Sequence, residues 1–156
     1  MKQISILGCG WLGLPLAKSL LEKGFSIKGS TTSLEKISVL ESQGIQSFQV
    51  ELSEDKIKGE IDSLLANSEI LIIDIPPKLR SASSESFVKK IQNLIPIIEK
   101  LKIEKVIFIS STSVYADNNA VITETTKPNP ETESGKQLLE TEKLLQSNTN
   151  FKTTVI

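Results

Sequence analysis

Apolar and polar positions along the chain follow two periods. Ile4, Ile6 and Leu7 form a short apolar run, after which Leu14, Leu16, Ala17, Leu20 and Leu21 recur at helical spacing. Phe25-Ser26-Ile27-Lys28-Gly29 alternates and predicts a second strand; Leu34, Ile37, Val39 and Leu40 predict a second helix, closed by Gly44. Residues 45–50 alternate again as a third strand, and Ile57, Ile61, Leu64 and Leu65 predict a third helix. Residues 70–75 are almost continuously apolar, the pattern of a strand buried on both faces of a parallel sheet. Phe87, Ile91, Leu94, Ile95, Ile98 and Leu101 predict a long amphipathic helix that Pro96 kinks or divides. Residues 105–109 predict a fifth strand, Leu138, Leu139, Leu144 and Leu145 a last helix, and residues 151–156 a sixth strand.

Strands alternate with helices throughout, without internal repeats. The pattern predicts an α/β fold: one three-layer domain over residues 1–156, with a doubly wound parallel sheet of strand order 3-2-1-4-5-6. In such a sheet the first strand-to-helix turn is the place to look for chemistry. Here it reads Gly8-Cys9-Gly10-Trp11-Leu12-Gly13, a Gly-x-Gly-x-x-Gly run with a strand before it and a helix after it. Gly8 permits the turn, Gly10 leaves room for a pyrophosphate, and Gly13 lets the helix pack closely. The unpaired N–H groups of the helix then face the phosphates. The order is that of a Rossmann dinucleotide-binding unit, and it assigns Gly8, Cys9, Gly10, Trp11, Leu12 and Gly13 to the cofactor. Trp11 is expected to be partly buried, and Cys9 to be a small filler at a crowded turn.

The strand after that turn ends in Ser30-Thr31-Thr32-Ser33, with no carboxylate before Glu35. An NAD-specific unit places an acid there for the ribose hydroxyls. Hydroxyls at Ser30, Thr31 and Thr32, with Lys36 nearby, fit a 2′-phosphate and favour NADP over NAD; Ser33 also reads as a helix cap. Glu51-Leu52 stands where an adenine edge or a solvated loop is expected. Ile75-Pro76-Pro77 ends the fourth strand at the carboxyl edge, where ligands sit in open α/β sheets. Asp74 is an odd residue inside that apolar run, facing either a neighbouring backbone or the crevice. Residues 78–85 read as a polar rim loop, with Lys78 and Arg80 as solvated charges or phosphate contacts.

Composition removes several alternatives. The 156 residues carry a net charge of −1 and no His, so there is no electrostatic case for nucleic acid. Without imidazole, a Ser-His-Asp triad and the usual zinc sites are excluded within this chain, and no metal ligand set is assigned. One Cys excludes an internal disulfide and fits a reducing compartment. No apolar run reaches the ~18 residues of a membrane span, and glycines interrupt the N-terminal run too early for a signal peptide, so the expected location is cytoplasmic.

From Phe108 the sequence reads Phe108-Ile109-Ser110-Ser111-Thr112-Ser113-Val114-Tyr115, followed by Glu124, Pro128, Pro130, Gly135 and Glu142. This resembles the extended short-chain dehydrogenases, the NAD(P)-dependent epimerase/dehydratase family, along essentially the whole chain. The Gly8-x-Gly10-x-x-Gly13 opening resembles an atypical subgroup whose members often lack the standard active site. The resemblance implies that Ser111 takes the position of the catalytic Ser/Thr and that Ser110 lies beside the cofactor. It also implies that Ser134 and Leu138 fall on the positions of the Tyr and Lys of the catalytic pair. A serine hydroxyl is too weakly acidic to replace that phenol. Lys136 lies two residues early, about 200° around the helix. Tyr115 matches a residue that is structural or a substrate neighbour.

The family's substrate-binding region is expected to follow the sixth strand, so the chain reads as the cofactor-binding part alone, with its small-molecule substrate unassigned. Three functions follow: an NAD(P)-binding relative of sugar-nucleotide epimerases and dehydratases with weak or no oxidoreductase activity; a non-enzymatic dinucleotide-binding sensor or partner module; or a hydride-transfer enzyme like the 6-phosphogluconate dehydrogenases. An exposed last strand also points to self-association as a homo-oligomer.

Overall fold

The structure, a computed structural model, describes residues 2–77 and 85–156. The rim loop expected at 78–85, with Lys78 and Arg80, falls outside the described residues except for Glu85.

A seven-stranded sheet forms the middle layer, in the order β4-β3-β2-β1-β5-β6-β7. Its strands are β1 (Gln3–Leu7), β2 (Ser26–Thr31), β3 (Gln46–Leu52), β4 (Ile57–Gly59), β5 (Ile70–Ile73), β6 (Lys105–Phe108) and β7 (Lys152–Val155). Without β4, the remaining six are parallel and stand in the expected 3-2-1-4-5-6 order. The order reverses at β1, which pairs with β2 on one side and β5 on the other. A crevice opens at such a reversal, because the connections leaving the two neighbouring strands diverge to opposite faces.

β1 shows how one sequence serves two faces. Ile4 and Ile6 pack with Ala17 of helix α1 (Gly13–Glu22), Leu40 of α2 (Ile37–Ser42) and Ile27. Leu7 points the other way, into the larger core under α3 (Ile61–Leu65), α4 (Phe87–Lys100) and α5 (Glu133–Ser147). Phe87 and Phe108 stack there with ring centroids 6.2 Å apart. Polar groups on the same face are satisfied internally. Ser5 Oγ lies 2.6 Å from Ser68 Oγ and donates to the Leu64 carbonyl. The buried ammonium of Lys28 on β2 donates to the Ser63 and Ala66 carbonyls at the end of α3, at 2.8 and 2.7 Å, with the Phe48 ring beneath it.

One expectation is corrected, and of the two outcomes expected at Pro96 one is excluded. The third helix starts at Ile61, not Ile57: residues Ile57–Gly59 form β4, antiparallel to β3. The apolar spacing from Ile57 to Leu64 imitates a helix. A turn between Ser53 and Lys56 closes a hairpin instead, and Gly59 takes φ +91°, which ends any helix through it. Pro96 does not divide the fourth helix, which runs Phe87–Lys100 unbroken. Pro96 removes one backbone N–H, while Phe87, Ile91, Leu94 and Ile98 stay buried along one stripe and hold the helix to the core. Among the described residues, no helix is long and apolar enough to cross a membrane.

Candidate dinucleotide-binding crevice

A cavity of about 400 Å³ lies at the carboxyl ends of β1, β2, β3 and β5, where the strand order reverses. It is lined by Gly8, Cys9 and Gly10 of the first turn and Ser30, Thr31 and Thr32 after β2. Its wall also includes Lys36, Glu51, Asp74, Ile75, Pro76, Glu85 and Lys90. Eight of the residues read from the sequence as cofactor ligands therefore meet in one place. Leu12, Gly13, Pro77, Ser110 and Trp11 stand outside this lining.

The three glycines of the turn do different work. Gly8 has φ +105°, and a Cβ there would lie 2.2 Å from the Asp74 carbonyl oxygen, so the turn and β5 need glycine. A Cβ on Gly13 would lie 2.1 Å from the Gly8 carbonyl oxygen: α1 starts directly on the turn. Gly10 has neither constraint, since nothing lies within 4 Å of a Cβ built on it, and its φ is not positive. A side chain there would meet open space at the edge of the crevice.

Ser30 is buried and fixes the turn. Its Oγ accepts from the Gly8 N–H at 2.9 Å and its carbonyl accepts from the Cys9 N–H at 2.7 Å. Thr31 Oγ1 accepts from the Ser33 N–H at 3.2 Å. Thr32 is exposed, and with Lys36 it forms the open wall after β2. Ser33 precedes the 3-10 turn Leu34–Lys36, but its side chain makes no cap hydrogen bond. Cys9 is buried against Gly29, and burial pushes its thiol up to about 11, so it is packing and no nucleophile.

Trp11, expected to be partly buried, is 93% exposed. It sits just before Leu12, the residue that caps α1, and α1 packs on the sheet through Gly13 and Ala17. That phase turns the indole to solvent.

Asp74 faces the crevice. Its Oδ2 would be 3.0 Å from a Cβ on Gly13. Burial raises its pKa above the ordinary carboxylate value, and the Gly13 N–H partly offsets this. At the rim, Glu85 pairs with Lys90 at 2.7 Å, which holds Glu85 below its usual range. Glu85 ends the segment read as a rim loop, whereas Lys90 carries no signal in the sequence: a helix surface there looks the same whether or not it borders a cavity.

The second cluster lies after β6. Ser111 is exposed and caps a 3-10 turn (Thr112–Val114), accepting from the Ser113 N–H at 3.2 Å. Ser110 Oγ donates to Glu142 of α5, and its N–H donates to the Ile156 carbonyl. Ser134 is half-buried in the first turn of α5, next to Gly135, whose Cβ would strike the Ser113 carbonyl at 2.1 Å. Leu138 is 3% exposed inside the main core, whereas Lys136 faces solvent. Tyr115 packs against the same core.

No family model matches the chain. "Protein YeeZ" of Escherichia coli K12 is 34% identical over 149 residues, covering 94% of this chain and 54% of that protein. A solved putative NAD-dependent epimerase/dehydratase from Methylobacillus flagellatus is 27% identical, with TM-score 0.73, over 99% of this chain and 52% of its own. UDP-glucuronic acid 4-epimerase from Bacillus cereus, solved in complex with NAD, shares the fold at TM-score 0.79 and 20% identity. The chain spans about half the length of the curated relatives it matches. Its fold is Rossmann-like and is shared with these solved structures over about half of their own length.

Proposed function

We propose that this chain binds a nicotinamide dinucleotide, with the diphosphate over Gly8-Cys9-Gly10 at the start of α1. The observation that carries the reading is Gly10. No backbone angle and no neighbour requires glycine there, yet Gly10 lines the crevice with open space where a side chain would be. The other lining fits: Thr32 and Lys36 beside one ribose, and Ile75 and Pro76 as the apolar floor towards the nicotinamide. The match to a B. cereus epimerase that was solved with NAD is consistent with such a ligand. When bound, the group supplies hydride donor or acceptor chemistry.

Within that class, NADP is the preferred form. Lys36 lines the wall after β2, and no carboxylate ends that strand. Ser111 is exposed and able to hydrogen-bond a substrate oxygen. Ser134 and Leu138 offer no acid–base pair in place of Tyr and Lys, so the chain itself has weak or no oxidoreductase activity. Leu138, buried in the core, also favours a second reading, in which the chain acts as a non-enzymatic dinucleotide-binding module.

Trp11 is the sole tryptophan, exposed beside the cradle, and reports binding by fluorescence. NADPH should quench it at micromolar concentration and NADH should not; equal affinity removes the NADP preference. Gly10→Val should keep the fold and lose binding. If Gly10→Val binds as the wild type does, the diphosphate lies elsewhere. Turnover of nucleotide sugars by the chain would overturn the reading of a missing catalytic pair.

A further inference from the structure

Helix α1 begins without a cap of its own. Leu12 occupies the cap position with no side-chain hydrogen bond, and the first turn contains no acid. The carboxylate that approaches this end comes from a different strand. Asp74 follows β5, lines the crevice with Gly8 and Gly10, and places Oδ2 beside Gly13. This is the ground a diphosphate would take, since both anions seek the same N–H groups.

We propose that Asp74 couples dinucleotide binding to proton uptake, its carboxylate standing where the diphosphate's charge would lie. The inference rests on the dinucleotide reading above and adds a ligand-sensing residue to it. A carboxylate and a diphosphate a few ångströms apart repel, so the bound state favours the protonated acid. The proton comes from solvent, and no bond is made or broken in the ligand.

The surroundings allow this. Cys9, from the turn after β1, is a neutral thiol below about pH 11. Glu51 of β3, paired with Lys58 at 3.5 Å, and Glu85 before α4, paired with Lys90 at 2.7 Å, line the crevice as compensated charges, and Lys36 adds positive charge. Among the described residues Asp74 has no ion-pair partner. Burial already moves its carboxyl towards the neutral form.

The sign follows from linkage. Asp74 titrates higher in the complex than in the free chain, so affinity is greatest below the free value and falls as pH rises towards the bound value. Between the two, one linked proton weakens Kd by up to about tenfold per pH unit. The test is calorimetric titration of the 156-residue chain with NADP⁺ and NAD⁺ from pH 5 to 8.5, in buffers of different ionisation enthalpy. Wild type should take up close to one proton per dinucleotide within that window. Asp74→Asn should take up none and bind about tenfold more tightly at pH 7.5. Binding without proton uptake in the wild type overturns the proposal, and this readout does not need the variant to fold. An Asn variant that keeps the uptake, or binds no more tightly, also overturns it. No binding by either protein at any pH removes the dinucleotide reading itself, together with this inference.

Discussion

Gly8 and Gly10 are two residues apart in one turn, yet the structure separates them sharply. Gly8→Ala would place a methyl at φ +105° and 2.2 Å from the Asp74 carbonyl oxygen. The backbone conformation costs about 1–2 kcal/mol for an L-residue. Forcing β5 away from the turn adds roughly 1–3 kcal/mol of overpacking. Gly8→Ala should therefore lose about 2–5 kcal/mol, a large share of the ~5–15 kcal/mol that holds such a domain together. At about 2–4 °C per kcal/mol for a chain of this size, the melting temperature falls by roughly 4–20 °C. Gly10→Ala meets nothing within 4 Å and should change stability by no more than about 0.5 kcal/mol. Urea unfolding followed by far-ultraviolet circular dichroism measures both, independently of any ligand. Similar losses in the two variants, or a Gly8→Ala chain as stable as the wild type, would refute the division of labour on which the cradle argument rests.

Two further outcomes are expected. Cys9 titrates at about 11 in the folded chain against 9.0 as a free thiol. A folded value above the unfolded one means its contribution is whole below pH 9.0 and is lost as pH rises through 11. The stability difference between wild type and Cys9→Ala should shift by up to about 2–3 kcal/mol over that window; a constant difference would contradict the burial of the thiol. Leu138→Lys does not restore an active-site lysine. It places an ammonium in the core at a position 3% exposed, and should cost about 3 kcal/mol or more in urea unfolding, with no gain of turnover.

Much of this molecule is legible in its residues because the same signal acts at several levels. The run from Ile4 to Ala17 states a buried strand, a turn and a packed helix at once, and the structure has all three. The parallel strand order follows from alternation and the handedness of crossovers, and it appears intact. Ile57 misleads because four apolar positions do not fix a period; the decisive residue is Gly59, at φ +91° and so close to the neighbouring strand that a Cβ would lie 2.1 Å from the Gln49 carbonyl oxygen. Trp11 misleads for a related reason. Its size argues for burial, but the phase of α1, set by Gly13 and Ala17, decides where it points. Ser30 reads as a ligand hydroxyl, while its bond to the Gly8 N–H is a long-range fact no local pattern carries. The placing of Asp74 against Gly13 is likewise a product of two distant segments meeting.

The ammonium of Lys28 reaches across from β2 to the final carbonyls of α3, a helix of only five residues. So short a helix has little persistence of its own. Tethered in this way, the crossover towards β5 shares the fate of the central strands: its amide protons should exchange with solvent at the pace of β2, as one cooperative block rather than as a fraying connector.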